Sequence, residues 1–356
     1  VLEVTYKDEK GQVLVLNEER NELLPYYNPA KEVTVEFKVT EEFPDEEKSF
    51  IKIISKDRKG NLLKEEEILL EEGYGQIVLK EDGHYRIESY LVDMMGNEMV
   101  YQNAFALDYT APEKPVIRYK TENQGFLARV LKQLTFGYFA KEKITASILV
   151  EDAISGVKQV TYSYEDVDLK EVVTETFTEI EVAIEVELPL SFRGIISVAA
   201  EDHLGNKGDT FTDIGVIAEA EKTHEETMDA GVQVLTEYSK TPDYYAGDVE
   251  VKFSVKDAYS GIQKITYLAG NDMQETISYE EEAEIVTEEV TKEFKIAAAE
   301  NQNNQVQIGL EFTDNAGHQV VLEEKELPKI HIDTIAPKIR VEYDNHDVIN
   351  EKYYRL

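Results

Sequence analysis

The feature that most constrains this chain is an internal repeat whose period is the length of a whole domain. A double aromatic recurs as Tyr26-Tyr27, Tyr138-Phe139, Tyr244-Tyr245 and Tyr353-Tyr354, at separations of 112, 106 and 109 residues. Self-similarity at a fixed period marks an array of like units, so whatever fold one unit takes, its neighbours take as well. Each of the first three pairs precedes a segment of strict alternation. Val33, Val35, Phe37 and Val39 alternate with polar residues, as do Ile144, Ala146, Ile148 and Val150, and Val249, Val251, Phe253 and Val255. Alternation of period two puts one set of side chains in a core and the other in water, the pattern of a half-buried antiparallel strand.

Two turn signals keep the same period. The second and third repeats read Asp152-Ala153-Ile154-Ser155-Gly156-Val157 and Asp257-Ala258-Tyr259-Ser260-Gly261-Ile262, offset by 105 residues. Later in each repeat come Asp93-Met94-Met95-Gly96-Asn97, Asp202-His203-Leu204-Gly205-Asn206 and Asp314-Asn315-Ala316-Gly317-His318. In Asp-x-x-Gly the carboxylate can accept hydrogen bonds from the turn backbone while glycine takes the left-handed position, so these segments join the last two strands of a sandwich. Asp82-Gly83-His84-Tyr85 places a tyrosine where its hydroxyl can return to upstream backbone, the tyrosine corner of immunoglobulin-like sandwiches. Short strands, regular turn signals and almost no helical periodicity predict an all-β chain of tandem immunoglobulin-like sandwiches.

The predicted domains are residues 1–111, 112–220 and 221–336, with residues 337–356 starting a fourth repeat, so the chain reads as a segment of something larger. Two linkers match, Asp108-Tyr109-Thr110-Ala111-Pro112 and Asp333-Thr334-Ile335-Ala336-Pro337, where proline ends one strand and starts the next repeat extended. The middle boundary differs. There Ile217-Ala218-Glu219-Ala220-Glu221-Lys222 is acidic and lacks proline, which predicts a looser or slightly helical junction.

Composition narrows the function. Lys and Arg number 37 against 73 Asp and Glu, a formal charge of −36 that is repelled by nucleic-acid phosphates and by anionic membranes. The same charge keeps a long array soluble without invoking any cationic partner. Cysteine is absent, which excludes disulfides and thiolate metal sites. No stretch reaches the roughly 20 apolar residues a membrane helix needs, so no membrane insertion is expected of this segment.

These motifs together resemble the bacterial immunoglobulin-like repeats of large clostridial and Lachnospiraceae cell-surface proteins. The signature there is an Asp-Thr-x-Ala-Pro linker, an aromatic pair before the first core strand, Asp-x-x-Ser-Gly-Val and Asp-x-x-Gly-Asn, and all four elements occur here. The likeness covers nearly the whole chain. It departs at the middle linker and at Lys56-Asp57-Arg58-Lys59-Gly60-Asn61, where the first repeat lacks the Ser-Gly turn. It implies an extracellular location on the bacterial surface, anchored to the cell wall or membrane through regions outside this segment, and it carries over no catalytic residue. Such arrays serve as stalks, adhesins or capture surfaces for host glycoproteins.

Candidate sites follow from features unique to one repeat. Phe126-Leu127-Ala128-Arg129-Val130-Leu131-Lys132-Gln133-Leu134 carries apolar residues at helical spacing between Gly125 and Gly137, which predicts a short amphipathic helix inserted near residues 126–135. It reads either as a partner-binding knob or as a plug for one end of the second sandwich. With the tyrosine pairs it gives the candidate binding residues Phe126, Arg129, Val130, Tyr138, Tyr244 and Tyr245. Because the tyrosine pairs recur in every repeat, they read equally as architecture. The loop 41–48 and the acidic stretch 280–289 are the other repeat-specific features.

The partner expected on the recognition reading is a host secreted or surface glycoprotein, with immunoglobulin and mucin as the classes to test. The alternative is a passive stalk that projects another domain. No enzyme is expected: carboxylates are too abundant for any pair to be informative, and no phosphate loop, nucleophile elbow or dinucleotide fingerprint occurs. The six histidines are scattered with no metal-ligand spacing, so no transition-metal site is predicted. Calcium is the one cofactor weighed, with Asp108, Asp152, Asp257 and Asp333 as its oxygen donors, and each of these also serves as a turn cap.

Overall fold

The computed structural model describes all residues except 15–25, 28–31, 58–59, 124, 131–134, 179–182, 271–272, 343–347, 351–352 and 355–356. The chain forms two compact units, Val1–Ala220 and Glu221–Leu356. Among the described residues no helix is long and apolar enough to cross a membrane.

The first unit holds two sandwiches. In the first, Leu2–Lys7, Val33–Val39 and Tyr74–Leu79 form one antiparallel sheet. The facing sheet runs in the order Tyr26–Tyr27, Glu98–Leu107, Gly83–Val92, Phe50–Lys56, Leu62–Glu67. The alternation read from sequence sets the core: Val33, Val35 and Phe37 are fully buried, and Ile51, Ile87, Phe105 and Leu107 are fully buried in the same cluster. The double aromatic is itself a short strand, pairing in parallel with Ala106-Leu107. The tyrosine corner forms as expected, with the Tyr85 hydroxyl donating to the Glu81 carbonyl at 2.8 Å.

The second sandwich repeats this plan. Gly125–Phe126, Val116–Thr121, Ile144–Leu149 and Ile184–Glu187 make one sheet; Phe136–Ala140, Gly215–Ala218, Arg193–Asp202, Val157–Asp166 and Val172–Thr178 make the other, with Phe211–Thr212 pairing onto Arg193–Asp202. Tyr138 and Phe139 pair in parallel with Val216 and Ile217, as the first aromatic pair does with its own final strand.

In the second unit the helix Glu221–Thr227 leads into a sheet of Met228–Val234, Val249–Asp257 and Val290–Ile296. Val348–Asn350 and Tyr353–Tyr354 pair antiparallel near the end of the chain, and the other strands form two sheets. One is Tyr244–Tyr245, Ile330–Asp333 and Asn303–Val306; the other is Met273–Ser278, Ile262–Ala269, Ile308–Asp314 and Gln319–Val321. Val249, Val251, Phe253 and Val255 are buried in its two core clusters. Tyr244-Tyr245 again pairs in parallel with a final strand, at His331-Ile332. The chain is an array of immunoglobulin-like sandwiches.

The predicted helix near 126–135 is corrected. Gly125 turns the chain with φ of 72°, Gly125 and Phe126 pair antiparallel with Thr121 and Lys120, and residues 127–130 are neither helix nor strand. The Leu127 amide donates to Tyr119 O at 2.7 Å, and the Val130 amide to Gly137 O at 2.7 Å. Residues 131–134 lie outside the described residues. The physical reason is that a nine-residue helix is marginal by itself, whereas an open strand edge offers backbone partners at once. Among the described residues the helix lies instead at the proline-free middle boundary, with Glu221 in its first turn, where an acidic side chain is favoured.

Candidate functional site

The repeated aspartates do the same local work in every sandwich. Asp93 Oδ1 accepts the amides of Met95 and Asn97, and Asp202 Oδ1 those of Leu204 and Asn206. Asp314 Oδ1 accepts those of Gly317 and His318. The second oxygen takes the side chain that closes the turn: Asn97 Nδ2 at 2.6 Å from Asp93 Oδ2, and Asn206 Nδ2 at 2.6 Å from Asp202 Oδ2. Gly96, Gly205 and Gly317 all have positive φ, between 83° and 97°, which the tight reversal requires. The other turn family behaves alike, with Asp152 Oδ1 accepting Ile154 and Gly156, and Asp257 Oδ1 accepting Tyr259 and Gly261. The first repeat lacks Ser-Gly, yet Asp57 accepts both the amide and the side chain of Asn61.

Within the first unit these turns bring the second sandwich onto the end of the first. Ala106 packs with Ile154 and Leu204 in a small apolar cluster. The Ser155 amide donates to Asp108 Oδ2 at 2.8 Å, and Asn206 Nδ2 to the Asp108 carbonyl at 3.2 Å. Asp108, Asp152 and Asp202 are all buried, each with a carboxylate oxygen within 4.8 Å of the others. Burial pushes the Asp108 carboxyl up to about 6; hydrogen bonds from Ser155 pull it back, and the charges of Asp152 and Asp202 push it further up.

Three buried carboxylates can share a proton or give part of the oxygen shell of a hard divalent cation, which takes about six to eight such ligands in the case of calcium. Each of the three is also fixed by the backbone amides it caps, which position it without an ion. The structure therefore brings together two of the four sequence-predicted calcium ligands, Asp108 and Asp152, and adds Asp202. That residue was legible only as a turn cap, and the signal for it was the recurrence of its turn once per repeat, at Asp93, Asp202 and Asp314. Asp257 lies in the second unit. Asp333 ends the strand Ile330–Asp333 and accepts the Ile335 amide at 3.0 Å.

The sequence-predicted binding residues divide between the units. Phe126 is 61% exposed, with the Arg118 guanidinium 6.0 Å from its ring. Arg129 and Val130 follow, and the Val130 amide donates to the Gly137 carbonyl. Tyr138 packs on Tyr119 with ring centroids 4.5 Å apart, and burial raises its hydroxyl pKa, as does Asp213, against a lowering by Arg129. In the second unit Tyr245 is buried in the core, and Tyr244 stacks on His331 at 4.4 Å.

No family model matches this chain, and no curated protein matches it. Among solved structures it is similar to a tetra-tandem repeat from the extending region of a large adhesion protein. That match has 11% identity and a TM-score of 0.30, and covers 94% of this chain and 92% of that one. A 1.5-MDa bacterial ice-binding adhesin matches at 13% identity and TM-score 0.28, covering 93% and 96%. Domains A168–A170 of titin match at 13% identity and TM-score 0.32, covering 86% and 98%.

Proposed function

We propose that this chain is a non-catalytic segment of a bacterial cell-surface protein and that its sandwiches act mainly as a spacer array. The observation that carries this reading is the junction inside the first unit. A linker joined by apolar packing of Ala106, Ile154 and Leu204, and by hydrogen bonds to both the backbone and the side chain of Asp108, resists bending. Stiff, short connections are what a spacer needs and what a set of independently tethered binding modules does not. The first three aromatic pairs also fit architecture better than recognition, since each pairs in parallel with the last strand of its own repeat.

A recognition reading keeps one observation in its favour: Phe126 is an exposed ring beside Arg118, on a feature unique to the second sandwich. The partner on that reading is a host glycoprotein such as immunoglobulin or mucin. Biolayer interferometry of the full chain against immunoglobulins, mucin, fibronectin and collagen at physiological salt separates the two. Silence across the panel supports the spacer. Saturable binding lost in Phe126→Ala refutes it as the main function.

A further inference from the structure

The third repeat departs from the others at one turn position, and the departure makes a new cluster within the second unit. Where the earlier repeats close the Asp-x-x-Gly turn with Asn97 or Asn206, this one uses His318, whose Nδ1 lies 2.7 Å from Asp314 Oδ2. An asparagine amide makes the same closing contact at 2.6 Å, so turn closure alone does not require an imidazole. The helix Glu221–Thr227 supplies a second one. His224 stacks on His318 with centroids 4.3 Å apart and planes 15° apart. Its Nδ1 stands 3.1 Å from Asp314 Oδ2 and 3.7 Å from Asp257 Oδ2.

All four groups are at least nine-tenths buried. Asp257 Oδ2 makes no hydrogen bond among the described residues, and it faces His224 Nδ1 at 3.7 Å. Burying a polar oxygen without a partner is costly, so this one calls for a partner such as a water or an ion. Burial alone would raise the Asp314 carboxyl; hydrogen bonding from His224 and the charge of His318 hold it below its ordinary value.

We propose that His224, His318, Asp314 and Asp257 form a binding site for a divalent transition ion of the zinc class. The spacing fits: ligand atoms about 2.0–2.1 Å from a tetrahedral ion lie about 3.3 Å from one another. The three contacts that link the set, His318 Nδ1 to Asp314 Oδ2, His224 Nδ1 to Asp314 Oδ2 and His224 Nδ1 to Asp257 Oδ2, measure 2.7, 3.1 and 3.7 Å. The donor chemistry fits as well, because imidazole nitrogen favours zinc, copper and nickel, whereas the all-carboxylate cluster Asp108–Asp152–Asp202 suits a hard ion. Coordination requires the stacked rings to splay so that both lone pairs converge, and it displaces any proton that bridges imidazole and carboxylate. This inference does not depend on the spacer reading.

The test is calorimetric titration of zinc into the full, chelator-treated chain, in excess calcium and at physiological salt so that surface carboxylates are occupied. One saturable site is expected. His318→Asn, which restores the residue the second sandwich uses, and His224→Gln should each weaken it by about 100-fold or more, since losing a group that only orients a ligand already costs about 10- to 100-fold. Cobalt in place of zinc should give a visible d–d absorption that His318→Asn abolishes. Circular dichroism of the metal-free variants checks that both fold. Absence of a saturable site, or a site unchanged in both variants, overturns the proposal and leaves the cluster as a hydrogen-bonded network.

Discussion

Replacing Asp108 by asparagine tests the electrostatics of the junction in the first unit. The carboxyl is fully buried, accepts the Ser155 amide at 2.8 Å, and is raised from 3.8 to about 6 by burial and then by Asp152 and Asp202. A carboxyl whose folded pKa lies above its unfolded value binds more proton in the folded state between those two values, so stability falls as pH rises through that window. Well below 3.8 both states are protonated and the group costs nothing. Above about pH 6 the charge is carried in full, and the penalty approaches about 3 kcal/mol as an upper bound. Asparagine keeps an oxygen for Ser155 and removes the charge. Asp108→Asn should therefore come closest to wild type near about pH 3 and exceed its stability at pH 7 in chelator, by up to about 3 kcal/mol. The assay is urea denaturation followed by circular dichroism and tyrosine fluorescence, since the chain has no tryptophan. The difference between the two proteins cancels the pH dependence common to the other carboxylates. A gain that does not vary with pH, or a loss of stability at pH 7 in chelator, would refute the reasoning.

Millimolar calcium should stabilise wild type more than Asp108→Asn if the three carboxylates serve a hard ion, and a calcium effect equal in both would remove them as its ligands. Phe253→Ala, at a fully packed position of the second unit, should cost about 3–5 kcal/mol by denaturation, and a cost below about 1 kcal/mol would mean the core there collapses to fill the space. Tyr85→Phe removes the bond to Glu81 O and should cost about 0.5–1.5 kcal/mol, measured as a fall in the urea midpoint at unchanged slope. Ile154→Asp places a charge against Ala106 and should expose the 108–112 linker to limited proteolysis of the full chain while the far-UV spectrum is kept; a digestion pattern like wild type would show that the apolar cluster does not protect the linker.

Much of the fold was legible because its signals are local and repeated. Val33, Val35 and Phe37 announce their burial by alternation, and the Asp-x-x-Gly turns announce theirs by the geometry only glycine and a capping carboxylate satisfy. The segment after Gly125 misled for the converse reason. Its apolar spacing fits a helix in isolation, but whether a helix forms depends on what competes for its backbone, and here the competitor is the edge residue Tyr119, distant in no local pattern. Sites were harder still to read. Asp108, Asp152 and Asp202 come from three separate motifs and meet only because two sandwiches pack end to turn. His224 and His318 have no ligand spacing, since one comes from a helix that replaces a proline linker and the other from a hairpin turn.

The repeat nevertheless held the key to them. In an array, positions common to every copy belong to the fold, and a position where one copy changes residue type without changing the turn is free to do something else. His318 stands at such a position: it keeps the hydrogen bond that Asn97 and Asn206 make to their aspartates, and it brings an imidazole to a buried carboxylate besides. Comparing turn positions between copies therefore locates chemistry that neither composition nor motif spacing reveals.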